Sequence, residues 1–143
     1  MAAVQRKVTF RIVLPGWLPK GMHLTRVYSA HLSTPSTNPA LLRRMMQAIL
    51  DYNGESPSGK RWSFSVTEMR GHVNVIPNNL IRYDGLTLEK GQVNLAGVGA
   101  SVWDAPYGVA YLVTGYQFVP EDVLVHINAS LAHKALALSK HSR

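Results

Sequence analysis

The sequence predicts an α+β fold with a mainly antiparallel sheet of about six to eight strands and two helices, at about 39–52 and 120–139. Three observations support this class: segments in which apolar residues alternate, turn-forming pairs between such segments, and two segments with apolar residues at helical spacing. The length of 143 residues suits one hydrophobic core, so we expect a single domain over residues 1–143.

Two extended segments are predicted before the first helix. In the first, apolar residues take alternate positions: Val4, Val8, Phe10, Ile12 and Leu14. This period of two predicts a half-buried strand with a basic outer face. A second strand is predicted over residues 22–32, where Met22, Leu24 and Leu32 share a phase that Arg26 interrupts.

The first helix is predicted to begin after Asn38 as N-cap, with Pro39 at the first helical position. Apolar residues follow at helical spacing until Asn53 and Gly54 end the helix: Leu41, Met45, Ala48, Ile49 and Tyr52. A second apolar stripe lies beside the first and leaves only a narrow polar strip: Leu42, Met46 and Leu50. Such a helix is too apolar for a free surface, which indicates that one flank contacts another subunit.

The stretch SVTEMRGHVNV, which begins after Phe64, sets a glutamate, an arginine and a histidine at every second position around a glycine. The apolar phase changes between Val66 and Val73. A hairpin whose turn includes Met69 and Arg70 restores one apolar face, because it pairs Val66 with Val73 and Thr67 with His72. We therefore predict a hairpin with solvated charges at its tip; a bulge in one long strand is the alternative.

A three-stranded meander is predicted over residues 80–96, with two-residue turns at Asp84-Gly85 and Lys90-Gly91. Both turns place apolar pairs on one face: Tyr83 with Leu86, Ile81 with Leu88, Leu88 with Val93, and Leu86 with Leu95.

The last third is predicted to contain a connection, a strand and a helix. Residues 97–108 are glycine-rich and irregular, and their GVGAS stretch lacks the third glycine and the following helix of a phosphate-binding loop. Residues 109–119 are apolar in both phases, as in a strand covered on both faces. The helix at 120–139 has acidic residues at its start and this predicted buried stripe: Leu124, Ile127, Leu131, Ala135 and Leu138.

The charge distribution divides the chain into a basic part, residues 1–50, and a charge-balanced part, residues 51–143. Fifteen lysines and arginines against eight acidic residues give a net charge of +7, and no acidic residue precedes Asp51. A positive electrostatic field on one side of a protein attracts polyanions, most often nucleic acid. A basic composition can also serve solubility alone.

The candidate nucleic-acid-binding residues are the basic set of the first part together with one aromatic residue: Arg6, Lys7, Arg11, Lys20, Arg26, Arg43, Arg44 and Trp17. Lys7 and Arg11 share the outer phase of the first predicted strand, and the two neighbouring arginines belong to the start of the first predicted helix. Trp17 has two interpretations, a platform on which bases stack or a core side chain.

These features predict a non-enzymatic, self-associating structural or assembly protein that contacts RNA or single-stranded DNA through its basic N-terminal third. Virus or phage coat, packaging and nucleoprotein subunits are of this type, so we expect a cytoplasmic location or one within a viral particle. Charged residues form only 16% of the chain, which favours a homo-oligomer. No stretch approaches the length of a membrane span, so no membrane partner is expected.

The alternative is a nucleic-acid-processing enzyme, nuclease-like, with His72 and Glu68 as acid and base. No cofactor is expected, and no cysteine is present to form a thiolate metal site or a nucleophile. His126 and His133 are seven residues apart on the last helix, which is not the spacing of helical metal ligands, so no metal site is predicted.

Overall fold

The strands of this protein join in one antiparallel sheet, in a computed structural model that describes residues 1–31, 38–93, 98–116 and 119–141. In chain order the elements are α1 (Ala2–Gln5), β1 (Met22–His31), α2 (Pro39–Arg44), β2 (Met46–Glu55), β3 (Arg61–Arg70), β4 (Ile76–Tyr83), β5 (Leu86–Gln92), β6 (Gly99–Asp104), β7 (Val109–Tyr116) and α3 (Glu121–His141). The order across the seven-stranded sheet is β1-β2-β3-β7-β6-β5-β4, with antiparallel neighbours throughout. The predicted α+β class is confirmed.

One face of the sheet, here called the helix face, carries the main core. Leu50, Val66 and Val113 form one row across β2, β3 and β7, and each is fully buried. Helix α3 packs over β5, β6 and β7 on this face. Because neighbouring residues of a strand point to opposite faces, the register assigns every other strand side chain to one face or the other.

The opposite face, here called the crossover face, is crossed by residues 71–75, the crossover segment. This segment connects β3, near the middle of the sheet, to β4 at its edge. Val75 is buried in a small second core against the crossover face, together with Ala100, Val102 and Leu112. The segment therefore lies on the sheet rather than in solvent.

Four predicted elements are present with small changes in extent. The Asp84-Gly85 turn joins β4 to β5 and pairs Tyr83 with Leu86 and Ile81 with Leu88, as predicted. Strands β1 and β7 and helix α3 also occur where the sequence predicts them. Three parts of these predictions lie outside the described residues: Leu32, Leu95, and residues 117 and 118 of the predicted strand at 109–119.

The predicted strand of the first 14 residues is wrong. Residues 2–5 form α1, and no regular element follows until β1. The side chain of Gln5 folds the chain back, because its Nε2 donates to the carbonyl oxygen of Phe10 at 2.7 Å and its Oε1 accepts from the backbone N–H of Ile12 at 2.8 Å. Val4, Val8 and Phe10 are still buried, but beyond them Val13 is buried and Leu14 is exposed, so the predicted alternation ends there.

The predicted helix over 39–52 is correct only in its first six residues. Asn38 caps it as expected, since its Oδ1 accepts from the backbone N–H of Ala40 at 3.0 Å. The chain then continues as β2, in which Ala48, Leu50 and Tyr52 are buried on the helix face. Members of both predicted stripes therefore share one face of this strand between β1 and β3, while Ile49 of the first stripe lies on the other face.

The predicted hairpin around residues 68–71 is also wrong. Thr67 pairs with Ile49 and Leu112, and not with His72. Strand β3 runs to Arg70 between two other strands, and the change of phase after it marks the point where the chain leaves the sheet to cross its other face.

Two predictions in the second half are wrong because the residues concerned belong to strands of the sheet. The Lys90-Gly91 pair lies inside β5 opposite Ser101 and Ala100 of β6. A Cβ at Gly91 would overlap the carbonyl oxygen of Pro77, so this glycine permits a close backbone approach and not a turn. The glycine-rich region at 97–108 likewise contains a strand, β6, whose residues 100–103 are buried.

Candidate functional site

Three of the predicted binding residues surround one open depression beside the end of β1. Arg6, Lys7 and Arg43 line it, and its volume is about 970 Å³. The remaining lining residues are Ser29, Ala30, His31, Pro39, Leu42 and Met46. We call this surface the basic depression.

Local folding brings these cations together from two distant parts of the sequence. Helix α1 ends at Gln5, and Arg6, which is its C-cap, and Lys7 follow directly. The Asn38 cap starts α2 and places Arg43 in its last turn. The Nη2 of Arg43 then donates to the carbonyl oxygen of Arg6 at 3.4 Å, which links the two segments.

The basic depression has a one-sided charge. No acidic residue is among the described residues of its lining, and Arg6, Lys7 and Arg43 are all exposed. Within the described part of the chain, no carboxylate forms an ion pair with any of the three. Their charges are therefore available to an anion from solution.

The other predicted binding residues are more dispersed. Arg44 is exposed beside Arg43 at the end of α2, where the sequence predicted the start of a helix. Lys20 lies in the turn before β1, and Arg26 lies on β1 with its guanidinium 4.1 Å from the ring centre of Tyr28.

Trp17 is intermediate between its two predicted roles. Its ring stacks on His126 of α3, with centroids 3.7 Å apart and planes within 6°. Its exposed fraction is 37%, so one face is covered by the protein while part of the ring remains accessible.

Arg11 belongs to a second and smaller cavity of about 360 Å³ near the end of α3. Arg70 also lines this cavity, and its Nε donates to Oγ1 of Thr9 at 2.6 Å. The rest of the lining is largely apolar: Phe10, Val13, Pro106, Tyr107, Val109, Ala135, Leu138 and Ser139. Arg70 is thus a structural link to the N-terminal segment and not the solvated turn residue that was predicted.

Glu68 is buried in the core and is not a solvated turn residue. Its side chain lies on the helix face beside Ala48 and Tyr111 and is 0% exposed. Its Oε1 accepts from the backbone N–H of Val13 at 2.8 Å. Burial raises the pKa of this carboxyl group to about 8, against the smaller opposite effect of the hydrogen bond from Val13.

His72 of the crossover segment lies between two carboxylates. Its Nδ1 is 2.6 Å from Oδ2 of Asp104, and its Nε2 is 3.1 Å from Oε1 of Glu89 and 2.8 Å from Oδ1 of Asn74. The hydrogen bond to Asp104, followed by that to Asn74, raises the pKa of His72 above its ordinary value.

Sequence reasoning missed this cluster because its members come from the crossover segment, β5 and β6, with no common short motif. The alternating register would have placed Glu89 and Asp104 on one face once β6 was known. Because an irregular connection was predicted for residues 97–108, the sequence did not indicate that Glu89 and Asp104 share a face.

Comparison with known proteins yields no match to a protein-family model, to a curated protein or to a solved structure. In the part of the chain that is described, the longest helix is α3, and no helix is apolar enough over sufficient length to cross a membrane.

Proposed function

We propose that this protein is a non-enzymatic, self-associating protein that binds RNA or single-stranded DNA through the basic depression. One observation carries the proposal: Arg6, Lys7 and Arg43 converge on one open surface, and no acidic residue is among the described residues that line it. Phosphate groups of a nucleic-acid backbone are the anions that such a surface suits, because each cation that contacts a phosphate releases a condensed counterion.

The lining favours a single strand over a duplex. Beside the three cations, the lining includes the apolar residues Ala30, Pro39, Leu42 and Met46. In a single strand the bases are not enclosed in a paired stack, so they can contact apolar surface while the phosphates contact the cations. Trp17, which stacks on His126 of α3, would belong to an extended path and not to the depression itself.

Self-association is supported by the two edges of the sheet. β1 and β4 are the edge strands, and each presents backbone N–H and C=O groups that no neighbouring strand among the described residues pairs. On β4, Ile76 is 49% exposed and Leu80 is 67% exposed. An assembly subunit of the coat, packaging or nucleoprotein type, in the cytoplasm or in a viral particle, would use such edges to contact further copies.

The nuclease-like alternative has less support. The sheet register puts Glu68 on the helix face, whereas His72 contacts Glu89 and Asp104 of the crossover face. Glu68 is fully buried and bound to Val13, so it has no access to a substrate that His72 could also reach.

Charge reversal in the basic depression is expected to remove nucleic acid from the purified protein. The triple variant R6E/K7E/R43E converts three attractive contacts to repulsive ones. Size-exclusion chromatography with absorbance at two wavelengths, at low and at high salt, measures both the bound nucleic acid and the particle size. We expect the unaltered protein to elute at low salt as a large species with nucleic acid, and the variant to elute without it.

A control with the same change in net charge is K60E/R61E/K134E. These three residues are exposed, and Lys60 and Arg61 lie at the opposite end of β2 from the depression. The control should retain nucleic acid. A monomer free of nucleic acid at low salt, obtained from the unaltered protein, would contradict the proposal.

A further inference from the structure

The side chains around His72 carry more negative charge than a protonated imidazole neutralises, and they offer more acceptor atoms than its ring has N–H groups. Two carboxylates, from Glu89 and Asp104, and the amide oxygen of Asn74 all face its ring. One possible metal-ligand atom from each of His72, Glu89 and Asp104 lies within 4.8 Å of the other two. Even a protonated ring would leave the cluster with a net charge of −1.

Glu89 supplies an independent sign of a missing partner. Its side chain is only 9% exposed, and its carboxylate lies at the cluster because Oε1 is 3.1 Å from Nε2 of His72. The second oxygen, Oε2, is buried, and within the described residues it has no hydrogen-bond partner. A buried carboxylate oxygen without a partner is costly, whereas a cation at this position would neutralise it.

We propose that His72, Glu89 and Asn74 bind a first-row divalent metal ion, with Zn²⁺ as its chemical type, and that Asp104 positions the histidine. The ion would take Nε2 of His72, the carboxylate of Glu89 and Oδ1 of Asn74. Asp104 would accept the hydrogen bond from Nδ1–H and so fix the ring and its tautomer.

The distances suit this division of roles. Ligand atoms around one ion with bonds of about 2.1 Å lie about 3.0–3.4 Å apart. Nε2 of His72 is 3.1 Å from Oε1 of Glu89 and 2.8 Å from Oδ1 of Asn74, so only small adjustments are needed. The contact of 2.6 Å between Nδ1 and Asp104 is that of a charge-assisted hydrogen bond on the other side of the ring.

The fold holds these groups in place and leaves a path for entry. Val73 and Val75 flank Asn74 in the sequence and pack against the crossover face, which anchors the crossover segment. His72 and Asp104 have exposed side-chain fractions of 42% and 47%, so one side of the cluster is open to water. The imidazole and the small number of oxygens favour Zn²⁺ over Ca²⁺, which takes six to eight oxygen ligands.

The test is titration of the chelator-treated, full-length protein with Zn²⁺ by isothermal calorimetry, followed by metal analysis after desalting. We expect one Zn²⁺ per chain for the unaltered protein and no measurable binding for H72A or E89Q. D104N should bind with an affinity about 10- to 100-fold lower, because it retains the ligands and loses only the positioning contact.

The matched control is H133A, which removes another exposed histidine paired with a carboxylate, Asp84, at 3.0 Å. It should bind Zn²⁺ as the unaltered protein does. Thermal melting of each variant separates loss of the site from loss of the fold, and E89Q preserves side-chain shape if H72A unfolds.

Long-range proton–nitrogen NMR of the histidine ring gives a second readout. Zn²⁺ should change the Nε2 resonance of His72 while Nδ1 remains protonated. Absence of stoichiometric binding, equal binding by H72A, or metal at Nδ1 would overturn the assignment.

Discussion

The variant E68Q is expected to be more stable than the unaltered protein at pH 8 and of similar stability at pH 5. Glu68 is fully buried, and its pKa in the folded protein is about 8, against 4.5 in the unfolded chain. Between these values the folded state binds more protons than the unfolded state, so the free energy of unfolding falls as the pH rises through this window. The limiting slope is about 1.4 kcal/mol per pH unit.

Glutamine has the size of the protonated acid and retains an acceptor for the N–H of Val13. It does not titrate, so the variant loses the pH-dependent destabilisation. The nearby tyrosines stay neutral in this range, since burial raises the pKa of Tyr52 to about 12 and raises that of Tyr111 also. We expect E68Q to be more stable by roughly 2–4 kcal/mol at pH 8.

Urea denaturation of both proteins at pH 5, 6, 7 and 8 measures the difference directly. Subtracting the two curves removes the contributions of other titrating groups, which both proteins share. E55Q is the control, because Glu55 is exposed at the end of β2 and its loss should leave the pH dependence unchanged. Parallel curves for E68Q and the unaltered protein would show that Glu68 is ionised in the fold.

The variant N128D is expected to destabilise the protein by about 3–5 kcal/mol at pH 8, because it buries an unpaired charge. Asn128 is fully buried on α3, and its Nδ2 donates to the carbonyl oxygens of Ser101 at 3.0 Å and Tyr111 at 3.2 Å. Aspartate has nearly the same shape but offers only acceptor oxygens to these carbonyls when it is ionised.

The comparison with N128A identifies the cause. Alanine loses the same hydrogen bonds without adding a charge, so we expect a loss of about 2–3 kcal/mol that does not change with pH. The loss in N128D should be smaller at pH 5, where a protonated side chain can again donate. Equal losses of N128D at both pH values, measured by urea denaturation, would contradict a buried carboxylate as the cause of its additional loss.

Several elements of the fold were predictable because local sequence patterns determine them. The Asp84-Gly85 pair determines its own hairpin register, and the residues of α3 keep a helical period over several turns. Strand β7 is apolar in both phases because the sheet is covered on both sides there. In each of these cases the information lies within a few residues of the element.

The errors arise where long-range contacts decide the local structure. Strand β2 resembled a helix because Ile49, on the face opposite Ala48, Leu50 and Tyr52, completes an apolar pattern at helical spacing. The change of phase after Val66 resembled a turn, but it records a crossover to the far edge of the sheet. Met46, Ala48, Leu50 and Tyr52 also have a period of two, so the sequence of β2 fits a strand and a helix alike.

The candidate sites follow the same division. The basic set was evident from the absence of acidic residues before Asp51, but its convergence was not. Arg6 and Lys7 meet Arg43 where the N-terminal segment, with the hydrogen bonds of Gln5, lies beside the short helix that Asn38 caps. The His72 cluster depends on the crossover and on β6, which the sequence analysis placed in a hairpin and an irregular connection.

The salt dependence of affinity for a single-stranded oligonucleotide tests the basic depression most directly. Each phosphate contact contributes about 0.7 to the slope of log K against log salt, so R6Q/K7Q/R43Q should have a slope smaller by about 2. The control K60Q/R61Q/K134Q should keep the slope of the unaltered protein. Equal slopes for the unaltered protein and R6Q/K7Q/R43Q would show that nucleic acid does not bind at the basic depression.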